Sequence, residues 1–163
     1  MTLPILVVAV GNPSRGDDAL GPLLAERLEA WLPAQGQGGI EVLTDIQLNI
    51  EHALDLEGRR RALIVDASAG GELPFTCLPV HPARDGSYST HSVSPQAVLQ
   101  VYGELGLPRP PVVELLAVRG FSFELGEVLS PGAERNLEAA WAFLQGWCRA
   151  AVLAGAASSP QAA

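Results

Sequence analysis

Asp17, Asp18, Asp66 and His91 are the side chains whose types and places in this 163-residue chain best suit chemistry. The two adjacent acids follow the apolar run Ile5-Leu6-Val7-Val8-Ala9-Val10 and the turn-forming Gly11-Asn12-Pro13-Ser14. They stand where a helix is expected to begin. One acid there needs no further explanation, because the first helical turn carries unpaired N–H groups and a partial positive charge. Two exceed what a cap requires. Asp66 follows the apolar run Ala62-Leu63-Ile64-Val65, and it either caps a turn over Ala67–Gly70 or faces a site. His91 precedes a helical pattern and is either a solvated loop histidine or a ligand. Two carboxylates alone suit an acid/base pair sharing a proton. Two carboxylates and a histidine suit a divalent metal with open positions, zinc-like or nickel-like.

These residues are positioned by an alternation of strands and helices. Ile5–Val10 reads as a strand buried on both faces, and Ala19–Trp31 as a helix with Leu20, Leu23, Leu24 and Leu28 at helical spacing. A Pro/Gly/Gln linker, Pro33–Gly39, leads to a short strand, Ile40–Leu43, ending at Thr44-Asp45. Ile46–Leu56 reads as a second helix closed by Gly58-Arg59-Arg60-Arg61, whose arginines suit a solvated helix end. A third strand, Ala62–Val65, completes βαβαβ, which favours a parallel sheet wrapped by helices on both faces. Phe75–Val80, carrying Pro79, reads as an edge strand. Helix Ser94–Leu105, strand Val112–Val118 and a helix opening at Pro131 follow. In such a sheet the loops after strands one and three share an edge, so an acid of the first loop can approach Asp66. The expected organisation is one domain over 1–154 and a disordered tail over 155–163.

Composition narrows the function classes. The chain is 48% hydrophobic with net charge −8, which supports a sizeable core and argues against nucleic acid or an anionic membrane as partner. All ten basic residues are arginine, so no Schiff-base or P-loop lysine exists. Cys77 and Cys148 lack CxxC spacing and read as idle thiols of a reducing compartment. No apolar stretch is long enough to span a membrane and no basic leader precedes one, so a cytoplasmic protein is expected. No GxGxxG, GxxxxGK[ST] or GxSxG pattern occurs, and no serine or cysteine has a recognisable base beside it. His52 and His81 read as structural or solvent-facing, Asp45 as a turn former or a cleft wall, and Gln47 as a residue facing that cleft.

Four motifs in order carry a resemblance. Gly11-Asn12, Asp17-Asp18 and Gly21-Pro22 after the first strand, Leu63-Ile64-Val65-Asp66-Ala67 at the third, Thr90-His91, and Val118–Pro131 (VRGFSFELGEVLSP) resemble the hydrogenase maturation endopeptidases. The likeness spans about Leu6 to Trp147. It departs from the common pattern at Ala19, where many members have glycine, and over Thr44–Leu56, where many have a Gly-rich loop.

The resemblance implies a three-layer α/β/α sandwich with a mostly parallel sheet and one antiparallel edge strand. It implies an endopeptidase that removes the C-terminal extension of a nickel-containing hydrogenase large-subunit precursor after metal insertion. Carried over by position, Asp18 and Asp66 become catalytic and, with His91, metal-contacting, while Asp17 becomes a helix-start acid or a partner behind them. The nickel is expected to come with the substrate subunit, and the enzyme to act as a monomer. The alternative is a non-catalytic nickel-centre assembly factor docking on the same subunit. A small-molecule hydrolase or phosphorylase would want a phosphate nest or nucleophile that the sequence does not offer.

Overall fold

The computed structural model describes residues 2–84 and 93–157. Five strands form one sheet in the order β2-β1-β3-β5-β4. β1 (Ile5–Val10) pairs in parallel with β2 (Ile40–Asp45) and β3 (Arg61–Ser68), and β3 pairs in parallel with β5 (Val112–Arg119). β4 (Phe75–Pro79) runs antiparallel to β5 at one edge, where Pro79 is tolerated. Alternate residues of β1 feed two cores. Ile5, Val7 and Ala9 face α1 (Leu20–Ala34) and α4 (Pro131–Ala157); Leu6, Val8 and Val10 face α2 (His52–Asp55) and α3 (Pro95–Glu104). All six are buried, which is why the run shows no polar alternation. This is the α/β sandwich with one antiparallel edge strand. No helix among the described residues is long and apolar enough to cross a membrane.

Several elements differ from the sequence reading. The first helix is preceded by a separate 3-10 turn, Gly16–Ala19, and runs past Pro33 into the expected linker. It stops where Gly36 adopts φ +64°, with Gly36 N–H donating to Pro33 O and Gln37 N–H to Leu32 O. The expected helix over Ile46–Leu56 is reduced to the single turn of α2. Asp45 Oδ1 takes the Ile46 N–H (2.7 Å) and Asn49 Oδ1 the Glu51 N–H (3.0 Å), so side chains occupy donors early in the segment. Leu48, Ala53 and Leu56 are buried while Ile46, Ile50 and Leu54 stay exposed. α4 continues through Ala157, beyond the expected start of the tail; Gly155 lies against Arg60, and an added Cβ would come 2.4 Å from the guanidinium.

The arginine run is not a solvated helix end. Arg59 pairs with Glu41 (2.5 Å) and donates to Leu3 O and Asp55 O. Arg60 donates to Ala151 O (2.7 Å), and Arg61 binds Glu114 (2.6 Å) while stacking on Trp147. These contacts tie the start of β3 to β2, α4 and β5.

Close backbone approaches then position the sheet's carboxyl edge. Gly11 has φ +149°, and a Cβ there would lie 2.1 Å from Asp18 O. A Cβ on Gly21 would lie 2.3 Å from Val10 O and 3.2 Å from Val65 O. Because those atoms are backbone, Gly21→Ala must displace α1 from β1 and β3. It should lower stability by about 3 kcal/mol, read as a reduced urea midpoint at unchanged slope. An unchanged midpoint would show that the helix start can shift freely.

Candidate active site

The parallel strands end unevenly. β1 stops pairing with β3 at Ala9–Val65, whereas β3 continues beside β5 through Ser68 and Arg119. Asp66 is therefore inside β3, paired with Ala117, rather than past the strand's end or capping a turn. It is the first β3 residue beyond its ladder with β1, and it alternates with Ala62 and Ile64 toward the face covered by α2 and α3. Asp18 comes to the same edge on the 3-10 turn that follows β1. Its Oδ2 accepts the Asn12 N–H at 2.7 Å, which fixes the carboxylate across the turn.

The two acids sense one another. Burial, reinforced by the charge of Asp18, pushes the Asp66 carboxyl up to about 7, with the Ala67 N–H working the other way. Such a group exchanges a proton near neutrality, as a general acid or base needs. Two hard oxygen donors whose charges repel also fit a divalent cation, which would relieve the repulsion. Among the described residues no group of three His, Cys, Asp or Glu side chains gathers closely enough to hold a metal ion. His91, the third ligand expected from the resemblance, lies outside the described residues.

Asp17 faces the other way and is fully enclosed. Its carboxylate accepts hydrogen bonds from Phe121 N–H (2.6 Å), Ser122 N–H (3.1 Å), Ser130 N–H (2.7 Å) and Ser130 Oγ (2.7 Å). Burial alone would raise its pKa, but these bonds outweigh burial and hold it below the ordinary value. It is not a helix-start cap, since its partners belong to the β5–α4 connection. Sequence reasoning had no local signal for them, though Ser130 before Pro131 has the look of a helix cap.

A cleft of about 450 Å³ opens between the ends of β1 and β2 and the first turns of α1, with Gly11, Pro13, Pro22, Thr44, Asp45 and Ile46 among its walls; neither Asp18 nor Asp66 lines it. Asp45 is both turn former and cleft wall. Gln47, expected to face the cleft, is exposed and does not line it; Ile46 does. His52 is buried, with Nδ1 3.0 Å from Asn49 N and Nε2 3.4 Å from Asp45, which braces the segment after β2. His81 is exposed. Cys148 is raised to about 12 by burial, and Cys77 to about 12 by burial and by Glu114, so neither thiol is a nucleophile.

No family model matches the chain, and no curated protein matches it in sequence. Solved structures do. The chain is 25% identical to the hydrogenase maturating endopeptidase HybD from E. coli, with TM-score 0.67 over 90% of this chain and 93% of that one. An endopeptidase from Escherichia coli gives 27% identity, TM-score 0.65, and coverage of 90% and 93%. The NiFe hydrogenase maturation protease HycI from Thermococcus kodakarensis gives 21%, TM-score 0.67, and the same coverage. The chain has the fold of the hydrogenase maturation proteases. Three of the four ordered motifs fall on the elements that build the sheet edge just described, and Thr90-His91 lies outside the described residues.

The raised pKa of Asp66 has a consequence for stability. Its folded value lies above the ordinary 3.8, so the folded state holds this proton more tightly than the unfolded chain. That contribution is complete below about pH 4 and is lost as the pH rises through about 7. Asp66→Asn should therefore melt at a higher temperature than wild type at about pH 8, with the gap closing toward about pH 4. Parallel melting curves across that range would refute the assignment.

Proposed function

We propose that this protein is an endopeptidase that removes the C-terminal extension of a nickel-containing hydrogenase large-subunit precursor after metal insertion. We take it to act in the cytoplasm as a monomer. The observation that carries the reading is the approach of Asp18 and Asp66 at the carboxyl edge of this family's sheet, with Asp66 poised near neutrality. Docking alone does not call for a buried carboxyl at that pKa. Covalent catalysis through cysteine is disfavoured by the two inert thiols.

In this reading Asp18, Asp66 and His91 contact the nickel carried by the substrate subunit, which anchors the scissile segment at the sheet edge. Asp66 is relieved of the repulsion of Asp18 when that cation docks, and it is then ionised. Its carboxylate takes a proton from the attacking water as the oxygen adds to the peptide carbonyl carbon. The proton passes to the leaving amine as the C–N bond breaks, which returns Asp66 to its starting state. Asp18, oriented by the Asn12 N–H, holds the cation side of the arrangement. Recognition of the metal comes first, and the carboxylates carry the proton traffic.

Mixing the protein with nickel-loaded precursor and weighing the large subunit by mass spectrometry tests this. Wild type should release one C-terminal fragment. Asp66→Asn should slow release by about 10³-fold while still co-eluting with the precursor. An unchanged subunit mass with stable co-elution of wild type would favour the assembly-factor reading. His91→Ala should weaken co-elution with nickel-loaded precursor selectively; equal binding of loaded and nickel-free precursor by wild type would remove metal recognition from the account.

A further inference from the structure

Asp17 takes no part in the chemistry above, yet it is the more deeply buried of the adjacent acids. It stands where the carriers of the two reacting carboxylates meet a third segment. Its own N–H donates to Ser122 O (2.8 Å), and Gly16 N–H donates to Glu127 O (3.2 Å). Gly126 N–H donates back to Ser14 O (2.8 Å), so the β1–α1 and β5–α4 connections are zipped together in both directions. The Asp17 carboxylate adds four bonds to the second connection, and Ser130 Oγ also accepts the Ala133 N–H in the first turn of α4. Gly120 closes the junction. Its N–H donates to Ser68 O (2.8 Å), two residues beyond Asp66, and a Cβ on Gly120 would lie 2.7 Å from the Asp17 Cβ.

Asp18 is thus carried by a turn whose preceding residue is bolted to the connection after β5, and Asp66 by a strand bolted to that same connection. We propose that Asp17 is a positioning residue, which sets the separation of Asp18 and Asp66 by clamping Gly120–Ser130 across both. The proposal rests on the reading of those two acids as the reacting pair. An anchor that merely tidied a surface loop would leave the carriers of the acids undisturbed when removed.

Asp17→Asn keeps the volume but turns one acceptor into an amide N–H₂ facing a backbone N–H. Ser130→Ala deletes one of the four bonds to the carboxylate, together with the one that Ser130 Oγ accepts from the Ala133 N–H, and leaves the carboxylate in place. Both variants are assayed with saturating nickel-loaded precursor, at a temperature where circular dichroism shows them fully folded. We expect Asp17→Asn to lower kcat about 100-fold with KM nearly unchanged, and Ser130→Ala to lower it by a smaller factor in the same direction. In ¹⁵N-labelled protein the Asp18 and Asn12 amide resonances should move together with those of Phe121 and Ser122. Wild-type kcat in the variants would overturn the proposal, as would Asp18 and Asn12 amides that stay in place while Phe121 and Ser122 move. If Asp17→Asn does not fold, Ser130→Ala alone decides by the same two readouts. If wild type does not cleave the precursor, the peptidase reading fails separately, and the amide shifts still decide whether Asp17 holds Asp18.

Discussion

Helix α1 begins closer to the sheet than any side chain would allow. The Cα of Gly21 rests against the carbonyl oxygens of Val10 and Val65, and Gly11 lies under the carbonyl of Asp18. These contacts place the turn bearing Asp18 directly over the ends of β1 and β3. With a larger residue at either position the turn would ride outward and the two acids would separate. The rest of the edge is assembled around that approach: β3 outruns β1 and carries Asp66 past their ladder, and the β5–α4 connection folds back over both.

The electrostatics of the edge follow from how each acid is solvated by the protein. Asp17 is ringed by N–H and O–H donors and is held ionised, so its burial is tolerated. Asp66 is half-buried with one opposing N–H and a like charge nearby, so its ionised form is disfavoured. Three acids within one stretch of fold thus divide into a structural anion, a fixed neighbour and a titrating group. The division depends on donors that come from more than 100 residues away in the chain.

Much of this was legible beforehand, for definite reasons. β1 and β3 declare themselves because strands buried on both faces must be continuously apolar, and the edge position of β4 follows from Pro79. The short α2 was not legible: Leu48, Ala53 and Leu56 mimic helical spacing, while Asp45 and Asn49 divert the backbone into turns. The place of Asp66 inside a strand was hidden because strand length is set by the partner, here β5, and not by the strand's own residues. The partners of Asp17 were hidden because a buried carboxylate and a helix-start acid look the same in sequence. Asp66 and the Asp17-Asp18 pair stood out as candidates because they lie at the carboxyl ends of parallel strands, and only the resemblance preferred Asp18 to Asp17.

The two cysteines bear on metal traffic. Both thiols are held protonated far above neutrality, Cys148 in the α1–α4 core and Cys77 against the Glu114 carboxylate. Neither cysteine therefore offers a thiolate to a divalent ion near neutral pH. Oxygen donors grip such ions weakly and release them readily, whereas thiolates would compete for them. If the proposed function holds, such a surface would touch a cation that another protein carries and leave it where it was, handling the cargo without becoming its thief.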